Sequence, residues 1–125
     1  MNWLAIALGG ALGAMGRYAI ITFLLPVTPH RFPWGTLVAN VIGCFVIGIL
    51  AVVIIDKQIL GPQWRLFLIT GFLGALTTFS AFSLEAIQLW QLGHGLNALY
   101  YVLLSLGACL LVTAIAILTT LRLLD

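Results

Sequence analysis

Residues 34–55 read WGTLVANVIGCFVIGILAVVII. The run holds no charged side chain and one amide, Asn40. A helix that crosses a bilayer needs about 20 consecutive apolar residues, and this stretch is long enough. It lacks the period-two alternation of a membrane β-strand, so a barrel is excluded. Three more apolar stretches flank it: Trp3–Leu25, Arg65–Leu92 and Leu96–Leu121. Together the four take up nearly the whole 125-residue chain, which leaves short connectors and no room for a soluble domain. The expected fold is all-α and integral to a membrane: one four-helix domain over residues 1–125.

Composition supports this reading. Of the residues, 63% are apolar and 6% are charged, against roughly 25% charged in an average soluble domain. A cytosolic enzyme, a disordered chain and a secreted disulfide scaffold are excluded. The net charge of +2 is spread thinly and makes no nucleic-acid patch. The first stretch has no basic leader and is too long for a cleaved signal. Cys44 and Cys109 lie inside apolar stretches and read as small packing residues rather than a disulfide.

The borders are marked as well. Trp3, Trp34, Trp64 and Trp90 each stand at an end of a stretch, where indoles favour the headgroup level. Pro26, Pro29 and Pro33, with His30 and Arg31, separate the first two stretches. Asp56 to Pro62 separates the next pair, and Gly93-His94-Gly95 the last. His30 and His94 read as solvated loop residues. Lys57, Arg65 and Arg122 fall on one side of the membrane, against Arg31 and Arg17 on the other. That bias is weak: it permits insertion both ways, and so an antiparallel pair built from one sequence, and it equally permits a single orientation with a faint signal.

Glycines recur at close-packing intervals: Gly9, Gly13 and Gly16 in the first stretch, Gly43 and Gly48 in the second. Small residues four apart let helix backbones approach in lipid. A phosphate-binding turn is excluded because no strand precedes the run.

Polar groups in lipid are costly and are functional candidates by default. Asn40 lies about 9 Å into its span. Arg17 is about 21 Å into the first, close enough to snorkel to the far headgroups, and reads as a structural anchor. Glu85 has no basic neighbour in sequence. It is a partner for Arg17 or a proton-coupling acid. The third stretch would be about 42 Å long as one helix, well beyond a 30 Å hydrocarbon core. Its centre, GFLGALTTFSAFS, combines Gly71 and Gly74 with Thr77, Thr78, Ser80 and Ser83. That mixture favours a helix broken near its middle, tolerated at this depth only where backbone lines a site. Phe79 and Phe82 are three apart and share a face. In the fourth stretch Asn97, Tyr101, Ser105, Cys109 and Thr113 recur every fourth residue and read as a pore wall. The bland alternative is hydroxyls bonded to their own helix.

In order and spacing, GGALGAMGRY (9–18), WGTLVANVIGCFVIG (34–48) and GFLGALTTFSAFSLE (71–85) resemble the Fluc (CrcB) fluoride channel family. The resemblance implies a passive fluoride channel in the bacterial inner membrane that protects against fluoride. It implies an antiparallel, dual-topology homodimer with two pores. By motif, Asn40 is the pore amide, Phe79 and Phe82 present their ring edges to the anion, and Tyr101 and Ser105 form a polar track. Thr78 and Ser80 are counted with that path. Gly74 and Thr77 would hold a structural Na⁺ through main-chain oxygen at the dimer centre. The chain departs from the family's TTFSTFS run at Ala81, and has Cys109 where relatives often have a hydroxyl. A path built from amide, hydroxyl and ring-edge groups suits a strongly hydrated anion, because a fixed cation would bind it too well to release it. Two rivals stand beside this reading: a small proton-coupled multidrug exporter that uses Glu85, and a non-transporting assembly subunit.

Overall fold

The computed structural model describes residues 1–24 and 32–125. Pro26, Pro29, His30 and Arg31 lie outside the described residues. Four helices are long and apolar enough to cross a membrane: Asn2–Phe23, Trp34–Asp56, Pro62–Gln91 and Gly95–Leu124. The sequence-read spans fall on these four, with borders displaced by a few residues. Pro33 starts the second helix and Pro62 the third, where a missing N–H costs no helical bond. Between the third and fourth, Gly93 has φ +83°, a left-handed turn open to glycine without strain.

The helices pair in two ways. The first span runs parallel to the first half of the third, with backbone against backbone. A Cβ on Gly9 would stand 2.2 Å from the Phe67 carbonyl oxygen, and one on Gly13 2.0 Å from that of Phe72. Gly71 returns the fit, its added Cβ 2.7 Å from the Ile6 oxygen. The second span runs parallel to the fourth, and a Cβ on Gly48 would meet the Ala116 Cβ at 2.7 Å. Close packing through small residues therefore accounts for these glycines.

The third span does not run on uniformly. Helical residues reach Leu76. Thr77 (φ −86°, ψ 153°) and Thr78 (φ −151°, ψ 120°) are extended, and the helix Phe79–Gln91 follows. The second half of the span packs against the fourth. Leu37, Phe82, Ala86, Leu89, Ala98 and Tyr101 form a buried cluster between the second, third and fourth spans. Elsewhere large apolar side chains face outward, Leu110 at 71% and Trp90 at 68% exposed. For a chain of this composition that surface is met by lipid or by another chain.

Two contacts gather the termini. Lys57 pairs with Asp125, and the Gln63 amide donates to Asn2 at 2.9 Å. The N-terminus, the connector after the second span and the C-terminus thus share one end of the bundle.

Candidate functional site

The site is organised by the two extended residues of the third span. Extended backbone there leaves main-chain groups without helical partners. Asn40, on the second span, takes both groups of Thr78. Its Oδ1 accepts from the Thr78 N–H at 2.7 Å, and its Nδ2 donates to the Thr78 carbonyl at 3.1 Å. The Thr78 hydroxyl in turn accepts from the Ala81 N–H at 3.1 Å and so caps the helix that follows. Asn40 is thus a clamp as well as a polar group in the membrane, and one of its two N–H donors has no partner among the described residues.

These bonds have a consequence for two carbonyls. In a continuous helix the Gly74 oxygen would receive the Thr78 N–H, and the Thr77 oxygen that of Ala81. Both N–H groups turn elsewhere. The nearby hydroxyls do not compensate. Thr77 donates to the Leu73 oxygen at 2.9 Å, and the Thr78 and Ser80 hydroxyls meet each other at 3.2 Å. Among the described residues these bonds leave the Gly74 and Thr77 carbonyls as neutral oxygen donors, the type that suits a hard cation.

A cavity of about 370 Å³ opens beside this point. Asn40, Gly74, Thr77, Thr78, Phe79, Phe82 and Ser105, all singled out from sequence, share its wall with Cys44 and Cys109. Tyr101 and Ser80 do not line it. The Phe79 and Phe82 rings lie 5.3 Å apart at 53°. Their surroundings differ: Phe82 is 7% exposed and Phe79 73%. Phe82 also touches the Tyr101 ring at 5.2 Å. The Ser105 hydroxyl is buried and, among the described residues, has no hydrogen-bond partner.

Glu85 stands next to this wall in a separate hydrogen-bonded group. Thr36 donates to its Oε1 at 2.7 Å and Tyr101 to its Oε2 at 2.6 Å. Thr36 and Tyr101 are fully buried. An Arg17–Glu85 ion pair does not form, because the carboxylate is met by these hydroxyls; Arg17 sits in the last turn of the first span's helix. Thr36 is not among the residues that the sequence singles out. The signal was there: Thr36, Asn40 and Cys44 recur every fourth residue in an otherwise apolar span and so share one face.

The regular stripe of the fourth span divides in three dimensions. Asn97 is exposed, Tyr101 goes to Glu85, and Ser105 and Cys109 face the cavity. Thr113 donates to the Cys109 oxygen on its own helix at 2.9 Å and to the Cys44 oxygen across the contact at 3.0 Å. The hydroxyl-to-own-helix alternative thus holds for Thr113, and a continuous five-residue wall does not form.

The family described as CrcB-like protein, Camphor Resistance (CrcB), matches residues 4–117. The chain belongs to this family. Among similar curated proteins is the fluoride-specific ion channel FluC of Saccharophagus degradans, 46% identical over 94% of this chain and 88% of that one. The protein of the same name from Hahella chejuensis is 45% identical over 92% and 91%. That from Rhizobium etli is 47% identical over 83% of each chain. CrcB relatives carry the name of an ion channel and not of an enzyme. With four helices able to cross a bilayer, the CrcB chain is a multi-pass membrane protein.

Proposed function

We propose that this chain is a fluoride-selective channel that conducts passively across the bacterial inner membrane and relieves fluoride toxicity. The observation that carries the reading is the buried, unpartnered Ser105 hydroxyl on a cavity wall shared with Asn40, Phe79 and Phe82. A small anion that sheds water needs partial positive charge in return. Ser105 supplies an O–H, Asn40 its second N–H, and the two rings their positive edges. Among the described residues no cationic side chain lines this wall to trap the ion. Thr78 and Ser80 hydroxyls stand at the same break, and Tyr101 extends the polar track from behind Phe82. Glu85 orients Tyr101 and Thr36. Names of the CrcB relatives give the ion.

The functional unit is an antiparallel homodimer of dual topology with two pores. Its support is the weak Lys/Arg bias and the broad outward apolar surface. The third helix acts as a broken span, and the breaks of two copies meet on the two-fold axis. There the Gly74 and Thr77 carbonyls are the residues that would hold Na⁺. A bound cation supplies the charge that settles these carbonyl dipoles in a medium without water. Thr77→Ser keeps the main-chain oxygen and the hydroxyl, and is expected to be mild.

The multidrug-exporter reading is weaker, because both Glu85 oxygens are engaged and Glu85 is not on the cavity wall. The deciding experiment is fluoride efflux from proteoliposomes, with chloride as control and no proton gradient. Rapid fluoride loss with chloride retained is expected. Efflux of neither ion would leave an assembly subunit, and transport that stops without a proton gradient would favour the exporter. Cysteine tags at the C-terminus are expected to label from both sides of the membrane, and one-sided labelling would end the dual-topology reading.

A further inference from the structure

Cys44 and Cys109 are the two cysteines of the chain, and both are free. The second and fourth spans bring them together. One hydroxyl, that of Thr113, donates to the main-chain oxygens of both residues, which pins the two backbones side by side. Both residues line the cavity that holds Ser105 and Asn40.

Two thiol residues on the wall of one mostly apolar cavity make a specific ligand set. Thiolate sulfur is soft and selects soft metals. Zinc sites take four ligands or three and a water. Among the described residues no group of three or more His, Cys, Asp or Glu is available to build one. A soft d¹⁰ ion that accepts linear coordination needs only two sulfurs. Charge selects further. Two thiolates cancel a divalent ion, and a neutral complex avoids the cost of burying net charge.

We propose that Cys44 and Cys109 form a two-coordinate site for a soft divalent cation of the mercuric class. Each thiol releases its proton to water, two sulfur–metal bonds form, and no electron changes hands. The bound ion crosslinks the second and fourth spans within the cavity. Binding rests on the placement of Cys44 and Cys109 on neighbouring helices and one cavity wall. Its effect on flux, a plug beside Ser105, rests on the channel reading above.

The test uses the purified full chain in detergent, reduced and loaded with one equivalent of Hg²⁺. Excess monothiol is then added, and retained metal is measured. Two-point attachment is expected to hold the ion roughly 100-fold better than one thiol does. The wild type is expected to keep one Hg²⁺ per chain and to shield both thiols from maleimide. Cys44→Ser and Cys109→Ser are expected to lose the ion to the monothiol, and Cys109→Ala guards against a folding defect from the new hydroxyl. Equal retention by wild type and the single variants, or no retention by the wild type, would overturn the site. In proteoliposomes, Hg²⁺ is expected to slow wild-type fluoride efflux and leave Cys109→Ser untouched. Retention by the wild type with unaltered efflux would keep the binding site and overturn the assignment of this cavity to the conducting path.

Discussion

The contact between the first and third spans and the junction of the second span with the third and fourth are both close, yet they rest on different chemistry. The first is glycine against backbone, with Gly9, Gly13 and Gly71 nested on carbonyl oxygens. The second is joined by hydrogen bonds across helices: Asn40 to Thr78, Thr36 and Tyr101 to Glu85, Thr113 to Cys44. Lipid gives helices no hydrophobic drive to associate, so close packing and polar bonds must serve. One region uses packing to hold the scaffold. The other concentrates the polar groups, and the cavity lies there. In this molecule polarity inside the membrane marks the candidate site, while small residues mark the frame.

The largest effect is expected from a side chain placed in the glycine contact. In Gly13→Leu the first added carbon already meets the Phe72 carbonyl at 2.0 Å, and backbone cannot withdraw. The expected outcome is loss of monodisperse folded protein by gel filtration, a cost above about 4 kcal/mol. Wild-type elution would show that the two helices can part there.

Next comes the polar clamp. Asn40→Leu leaves the Thr78 N–H and carbonyl unpaired, at about 1–3 kcal/mol for each group. A lower melting temperature and strongly reduced fluoride efflux are expected. Asn40→Asp keeps the acceptor for the Thr78 N–H but can set a negative charge against the Thr78 carbonyl and a passing anion. Its efflux is expected to be at least as low. An active Asn40→Leu would make the amide dispensable to both roles.

The two phenylalanines separate stability from flux. Phe79 is 73% exposed, so Phe79→Ile is expected to cost less than about 0.5 kcal/mol. Phe82 packs in the core, and Phe82→Ile is expected to cost about 1–2 kcal/mol in thermal unfolding. Both are expected to slow fluoride efflux while assembly survives. Wild-type rates in both would reduce the rings to packing.

The smallest effects belong to the rim. Lys57→Ala removes an exposed ion pair with Asp125 and is expected to cost no more than about 1 kcal/mol, less at high salt. Gly107→Ala is the control for the glycine argument, since a Cβ there meets nothing within 4 Å. Its melting temperature and efflux are expected to match wild type. A defect would mean that this face is covered in the assembled channel.

The amino-acid sequence is enough for the number of spans, their lengths and their tryptophan borders. Uninterrupted apolar runs have one way to satisfy their backbone in lipid, and that way is local helix. It also gave the residue types of the site, because hydroxyls and amides stand out in such runs. What tertiary structure alone decided is which of these groups meet. The fourth-span stripe looked continuous because helical periodicity counts residues on one helix only. Contacts with neighbouring helices then sent Tyr101 to Glu85, Thr113 to Cys44, and left Ser105 free. Thr36 acquired its role, and Arg17 lost Glu85, for the same reason. A hydrogen bond across 49 residues of chain, as between Thr36 and Glu85, depends on how two helices are placed, and no local pattern in either one encodes that placement.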